Sequence, residues 1–338
     1  MGRFSLPGSG QYGCVEYSKP HLAYDKQVEL LASRGMDVGP MGDAVHALKR
    51  IGYYRLSAYT YPMRVRGDQV NHAASLRRDE FVSGARLKDA VALHDFDHRL
   101  RRTLLPAIQT LEIGLRTKVA YQLSKRDPMG HLSKVGLDQV VCESAATGPD
   151  HAGTKYEVWR REYDSLQHKS KHEDYVRHFT LKYDGRVPIW AACEFMTMGS
   201  LTRLYRLLEP KDAGRIAAEL GVKNKDVLFG WIKALNVTRN NCAHNARVWN
   251  RSTIYPPDRI NERMVEPALH HLVDADRNKV YFLAAVLGYL LHHIDPDSRF
   301  TNDFRTTMNK FPSVLGMTPQ NTVGFSEDWQ DQDLWRLQ

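Results

Sequence analysis

Between Leu87 and Leu123 apolar residues return at every third or fourth position: Leu93, Phe96, Leu100, Leu104, Ile108, Leu111 and Leu115. That spacing places them on one stripe of a single long helix. A strand would scatter them over both of its faces. Pro106 lies in the middle and predicts a kink, because proline removes an N–H and crowds the carbonyl one turn back. Shorter helical patterns precede it at about 24–34 (Val28, Leu30, Leu31) and 42–51 (Val45, Leu48, Ile51). Others follow at about 155–180, 188–208 (Trp190, Phe195, Leu201, Leu204, Leu207), 211–220, 225–248 and 278–293. Strand alternation is scarce and no internal repeat is evident, so the expected fold is all-α.

Interruptions of this periodicity mark the expected regions. "MGRFSLPGSGQYG" is rich in Gly, Ser and Pro and reads as a disordered tail over 1–16, with structure starting near Tyr17. A helical region follows over 17–125. After Leu123 the pattern fades through "SKRDPMGHLSKVG" and "ESAATGPDHAGTK", which predicts a loop-rich insertion with a helix over 126–185. Helices resume over 186–300, and 301–338 reads as a C-terminal tail. In the aromatic stretch "IGYYRLSAYTYPMR", Tyr53, Tyr54, Tyr59 and Tyr61 are expected in the core and at interfaces.

With 338 residues the chain is long enough for one large or two modest domains with real cores. Its 47 Lys and Arg against 39 Asp and Glu leave a formal +8, which favours a polyanionic partner. Cys14, Cys142, Cys193 and Cys242 are scattered without a C-x-x-C pair, a usage that fits a reducing cytosol. The longest apolar run, Val280 to Leu291, is too short to span a bilayer, and no charged-then-apolar leader opens the chain. The expectation is a cytoplasmic protein with no membrane partner.

Few motifs carry chemistry. "HDFDH" at 94–98 sets His94 and His98 at i, i+4 like a zinc helix, yet no third ligand can be named, and Asp97 is equally placed to pair with Arg101. The doublets His270-His271 and His292-His293 point to different helix faces. No Gly-rich phosphate loop, no G-x-S-x-G elbow and no carboxylate cluster appears. What remains is "VTRNNCAHNARVWNR" at 237–251.

Leu228, Trp231, Ile232 and Leu235 form the buried stripe of a helix there, continued by Cys242, Ala243, Ala246 and Trp249, and Arg239 falls inside the same arc. A buried guanidinium without partners costs several kcal/mol. It is therefore either paired by an acid such as Glu112 or Glu194, or it looks into a cleft. At helical angles Asn240, His244, Arg247 and Arg251 share a polar stripe, with Lys233 and Asn236 one and two turns before. The bare spacing of Arg and His is weak, since it also occurs at Arg66/His72, Arg126/His131, Arg161/His168 and Arg263/His270.

Five ordered blocks carry more. "KPHLAYDKQVELLASRGM", "IGYYRLSAYTYPMR", "FDHRLRRTLLPAIQTLEIGLRTKVA", "VPIWAACEFMTMGSLTRLY" and "TRNNCAHNARVWNR" together resemble the abortive-infection proteins of the AbiD/AbiF type, in the HEPN superfamily of helical ribonucleases. The likeness runs over about residues 17–300. The family's Arg-Asn-…-His signature falls on Arg239, Asn240 and His244, and its Trp-Asn-Arg on Trp249, Asn250 and Arg251. Gln109 stands where a second acid beside Glu112 is expected, and Gly52 where Asn is frequent.

The resemblance implies an HEPN-like helical bundle with additional N-terminal helices, its catalytic region at 186–300. It also implies a metal-independent, toxin-like endoribonuclease of phage defence, active as a homodimer on RNA and without a cofactor. Related HEPN motifs form the nuclease of RNA-guided type VI CRISPR effectors, so a bound structured RNA belongs to the expectation. RNA carries its own nucleophile, the 2′-hydroxyl, and cleavage needs only proton transfer and a stabilised phosphorane. His244 suits the first task and Arg239 the second, with Asn240 orienting the imidazole or the phosphate. Arg247, Arg251 and Lys233 would guide the RNA backbone, supported by Asn241, Trp249 and Asn250. The competing expectations are an HEPN-like module that holds RNA or a partner without cutting, and a monomer whose N-terminal helices complete the cleft. An enzyme modifying nucleotides would need cofactor ligands that the sequence does not offer.

Overall fold

Asp138, Thr154, Thr197, Asn224 and Thr318 each open a helix with a side-chain cap. The computed structural model describes residues 18, 20–67, 77–147 and 152–336; the tail expected over 1–16, Tyr17 and Cys14 lie outside them. α1 (Tyr24–Ser33), α2 (Met41–Ile51) and α3 (Tyr53–Thr60) come first. Gly52 separates α2 from α3 at φ 89° and ψ 138°, a conformation that glycine enters without a Cβ penalty. Asparagine is most at ease nearer φ and ψ of about +57° and +47°, so this backbone explains the glycine. A single 3-10 turn, Tyr61–Met63, leads into β1 (Arg64–Arg66), which pairs antiparallel with β2 (Arg77–Phe81). This hairpin is the one sheet among the described residues, and the all-α class holds. The four tyrosines divide: Tyr59 is buried, Tyr54 is exposed, and the Tyr53 hydroxyl accepts from Arg34 Nη1 at 3.3 Å.

The chain forms two compact units, divided between Val91 and Ala92. The first has its own core of Val28, Leu31, Leu48, Leu56, Tyr59, Met63 and Phe81. The division falls early in α4 (Leu87–Ser124), the long helix the sequence predicts, which runs on through Pro106. All seven of its stripe residues are at most 1% exposed. In the segment 126–185 two short helices that the sequence did not predict, α5 (Gly130–Ser133) and α6 (Gln139–Glu143), precede the helix expected over about 155–180, which is present as two, α7 (Lys155–Lys169) and α8 (Asp174–Tyr183). A capping box between Thr154 and Glu157 starts α7. Its inner stripe is aromatic rather than aliphatic, with Tyr156, Trp159 and Tyr163 buried and Trp159 Nε1 donating to the Ser200 carbonyl at 3.1 Å.

The helix expected over 188–208 is two, α9 (Ile189–Phe195) and α10 (Met198–Leu207). Met196 is extended, and the Thr197 side chain caps α10 by accepting from Ser200 N–H. α11 (Pro210–Glu219) and α12 (Lys225–Ala243) follow, then α13 (Val280–Ile294), α14 (Phe300–Met308), α15 (Pro319–Val323) and α16 (Asp333–Arg336). α12 packs against α10, α11 and α13. Val280 to Leu291 of α13 are buried on every side, and α14 and α16 help to cover them. Gly114 of α4 admits the Ile294 side chain so closely that a Cβ would stand 2.7 Å from it.

Residues 301–336 are not a loose tail. Phe304, Phe325, Trp329 and Trp335 close an aromatic cluster with Tyr281 of α13, and Trp335 Nε1 donates to the Tyr281 hydroxyl at 3.1 Å. This length of chain carries few aliphatic repeats, so its burial rests on aromatic pairs that helical periodicity does not register. Among the described residues no helix is long and apolar enough to cross a membrane.

Candidate functional site at the end of α12

The Asn224 side chain caps α12, accepting from the N–H groups of Asp226 and Val227. Val227, Leu228, Trp231, Ile232, Ala234, Leu235, Thr238 and Cys242 then turn inward as one face. The sequence predicts that this helix continues to 248; it ends at Ala243. His244 is the C-cap, and Asn245 enters the left-handed region at φ 54°. The Asn245 N–H donates to the Cys242 carbonyl at 3.2 Å and the Ala246 N–H to the Asn241 carbonyl at 2.8 Å. These paired bonds are a Schellman closure with asparagine in the position glycine usually takes. The expected stripe of Asn240, His244, Arg247 and Arg251 is corrected accordingly: only the first two share the helix face, with Lys233 two turns earlier, and Arg247 and Arg251 lie on the segment that follows.

A buried clamp holds that segment. Asp97 of α4 is fully buried, and its Oδ1 accepts from Val248 N–H at 3.1 Å and Trp249 N–H at 2.7 Å. Its Oδ2 pairs with Arg101, whose Nη1 reaches the Ala246 carbonyl at 3.3 Å. Asp97 therefore serves the backbone rather than a metal, and its pairing with Arg101 is as the spacing predicts. Trp249 is wholly buried with Nε1 donating to Thr322 Oγ1 at 3.2 Å, so its part is structural. Asn250 is left-handed at φ 48° and accepts from Lys279 Nζ at 3.5 Å.

Arg239 leaves its own helix towards α4. Its Nε stands 3.8 Å from Glu112 Oε2, and its side chain keeps 33% of its surface exposed. Glu112, itself 7% exposed, also accepts from Arg116 Nη2 at 2.6 Å. Arg116 in turn donates to the carbonyls of Glu194 and Met196 at 3.2 and 2.9 Å. Of the two alternatives raised by the sequence, the acid is present: Arg239 faces Glu112 while a third of its side chain stays open to solvent. Its Nε has no hydrogen-bond partner, while Nη1 reaches Asn240 Oδ1 at 3.4 Å. Asn240 and His244 are exposed, and the two sit one turn apart.

The remaining members lie around this end. Lys233 is exposed with its Nζ 4.1 Å from the centre of the Tyr255 ring. Arg251 lines a small cleft with Thr238, Asn241, Thr253 and Asn278. Cys242, between Asn241 and Ala243, is a packing residue, since burial pushes its thiol up to about 12. A helix C-terminus carries partial negative charge, so a phosphate drawn here must be held by the cations. Sequence reasoning did not foresee Asp97 and Arg101 as the clamp on residues 246–249. Its only local signal is an acid and an arginine four residues apart in an apolar stripe. Among the described residues no group of three or more His, Cys, Asp or Glu is placed to hold a metal ion.

No curated protein and no solved structure matches this chain. A family model does, that of the Abi-like proteins, over residues 46–250, a stretch that takes in α4, the clamp and the whole Arg239–His244 motif. By that match the chain belongs to the Abi-like protein family, which suggests abortive infection, the defence against phage, as its setting.

Proposed function

We propose that this chain is an HEPN-type endoribonuclease of a phage-defence or toxin-like system, cleaving RNA through the RNA's own 2′-hydroxyl and needing no metal. The observation that carries the reading is that a part-open arginine, backed by Glu112, and an exposed histidine both stand at the end of α12. His244 takes the proton from the 2′-oxygen or gives one to the departing 5′-oxygen. The Arg239 fork, steadied from behind by Glu112, neutralises the oxygens of the pentacoordinate phosphate. Asn240 contacts the guanidinium and precedes His244 by one turn, which suits it to orient both. Arg247, Arg251 and Lys233 draw the RNA backbone to a helix end that would otherwise repel it.

In-line displacement needs one group to accept a proton and another to donate one, and a single chain supplies one Arg/His motif. A homodimer with the ends of α12 facing each other across a two-fold axis supplies the second. The test is cleavage of a labelled RNA by the full chain with chelator present. Arg239→Ala and His244→Ala are each expected to lose about 10²- to 10⁴-fold in rate. Products should end in a 2′,3′-cyclic phosphate, and a strand with 2′-deoxyribose at the scissile nucleotide should resist. Full activity in a folded His244→Ala chain, or cutting of the deoxy strand, overturns the reading.

A further inference from the structure

The side of α4 turned about 80° to 180° away from Glu112 forms one wall of a groove of about 400 Å³, and α14 with the two residues before it forms the other. Arg102, Thr103 and Thr110 line the first wall, and Arg299, Asp303 and Thr307 the second. Thr103 Oγ1 and Thr307 Oγ1 meet at 2.8 Å across the floor. Arg102 and Arg299 are exposed, and among the described residues neither guanidinium has a carboxylate or hydrogen-bond partner. This contrasts with Arg34, Arg64, Arg86, Arg126, Arg203 and Arg206, each engaged by an acid.

Two neighbouring details extend the positive character. Arg299 occupies the N-cap of α14 and caps nothing, because a guanidinium can only donate to first-turn groups that are themselves donors. Arg99, one turn before Arg102 and Thr103 on the same face, donates to the Lys310 carbonyl at 3.5 Å. His98 stays below the ordinary imidazole value, through burial first and then the nearby charges of Arg101 and Arg102. From Arg99 to Thr110 the face runs about 16 Å along the helix axis, longer than one phosphate needs. The lining offers hydroxyls and guanidinia but no open aromatic face, since Phe300 is 5% exposed. A mononucleotide base would find nothing to stack on, whereas the phosphates and 2′-hydroxyls of a strand meet suitable partners.

We propose that this groove binds the sugar–phosphate backbone of single-stranded RNA, at a place apart from Arg239 and His244. The proposal rests on the reading of the protein as one that acts on RNA. Asp303 is the one carboxylate on the two walls named and opposes the strand, which gives the test a second sign.

The experiment measures binding of a fluorescent single-stranded RNA as a function of salt, using full-length chains that all carry His244→Ala so that the strand stays whole. Adding Arg102→Gln with Arg299→Gln is expected to flatten the slope of log affinity against log salt by about 1.4, the value for two lost single-strand phosphate contacts. Asp303→Asn is expected to tighten binding. Lys169→Gln with Lys171→Gln, removing two exposed charges elsewhere, should leave the slope in place. Neither groove arginine has a partner to lose, so melting temperatures should stay level. A slope equal to the control's overturns the groove, as does absence of RNA binding or equal binding of DNA of the same sequence. Flattening of the slope alongside failure of the unsubstituted chain to cut RNA would uphold the groove and overturn the cleavage reaction instead.

Discussion

Glu112 holds two arginines at once, and its removal separates the structural from the chemical share of each. Glu112→Ala sets Arg116 and Arg239 against each other with no acid between them. The expected loss is about 2 kcal/mol in urea unfolding, less than for a wholly buried pair because both cations reach solvent. Arg239→Ala leaves Glu112 bonded to Arg116 at 2.6 Å, so it should cost under about 1 kcal/mol and keep the chain folded. A drop in stability for Arg239→Ala as large as that for Glu112→Ala would contradict this division. The sequence offered Glu112 and Glu194 as partners on burial grounds alone, and Glu112 is the one Arg239 faces, while Glu194 acts through Arg116. Asp97 is the sterner case. Asp97→Ala strands two backbone N–H groups and leaves Arg101 buried without its acid, with an expected cost of about 3–5 kcal/mol. Nothing near residue 97 in the chain says that its carboxylate meets residues 248 and 249, because that bond is set by tertiary packing.

At the scale of elements, α4 was legible because its pattern is long and each buried residue repeats the same signal. The end of α12 was not, because Ala246 and Trp249 keep helical spacing beyond the point where the helix stops. Asn245 is the overlooked mark, being the residue other than glycine that most readily takes a left-handed C-terminal position. Asn245→Val places a β-branched side chain at φ 54° and should cost about 1–2 kcal/mol. Asn245→Gly keeps the left-handed backbone without strain and should cost less than Asn245→Val. Urea midpoints for the two variants check the pair, and equal midpoints would refute the closure described. The split between α9 and α10 has a similar origin: Thr197 competes for the Ser200 N–H and lets Met196 extend.

Over the whole molecule, stability should depend on pH through buried imidazoles. Burial pushes His131 down to about 3 and His271 to about 4, while both regain ordinary values near 6.5 once unfolded. The unfolded chain therefore binds more protons between those limits, and stability rises with pH there. It is complete above about 6.5 and falls as pH drops towards 4, by up to about 1.4 kcal/mol per pH unit for each histidine. His131→Gln should flatten the dependence measured by urea unfolding at pH 7, 6 and 5; an unchanged slope would mean that His131 is protonated in the fold. The burial of residues 301–336 was hidden for a physical reason too, since a cluster of four rings around Tyr281 needs no periodic sequence. The fixed distance along α4 has one more effect. Asp97 meets the segment after α12 and Glu112 meets Arg239, fifteen residues on and about 22 Å along one unbroken helix. Losing one residue between them, Leu105 for instance, would leave both halves helical yet swing Glu112 by about 100° and draw it in by about 1.5 Å. Insertions and deletions can accumulate in the connections between helices, but in this interval the chain can change its letters and not its count.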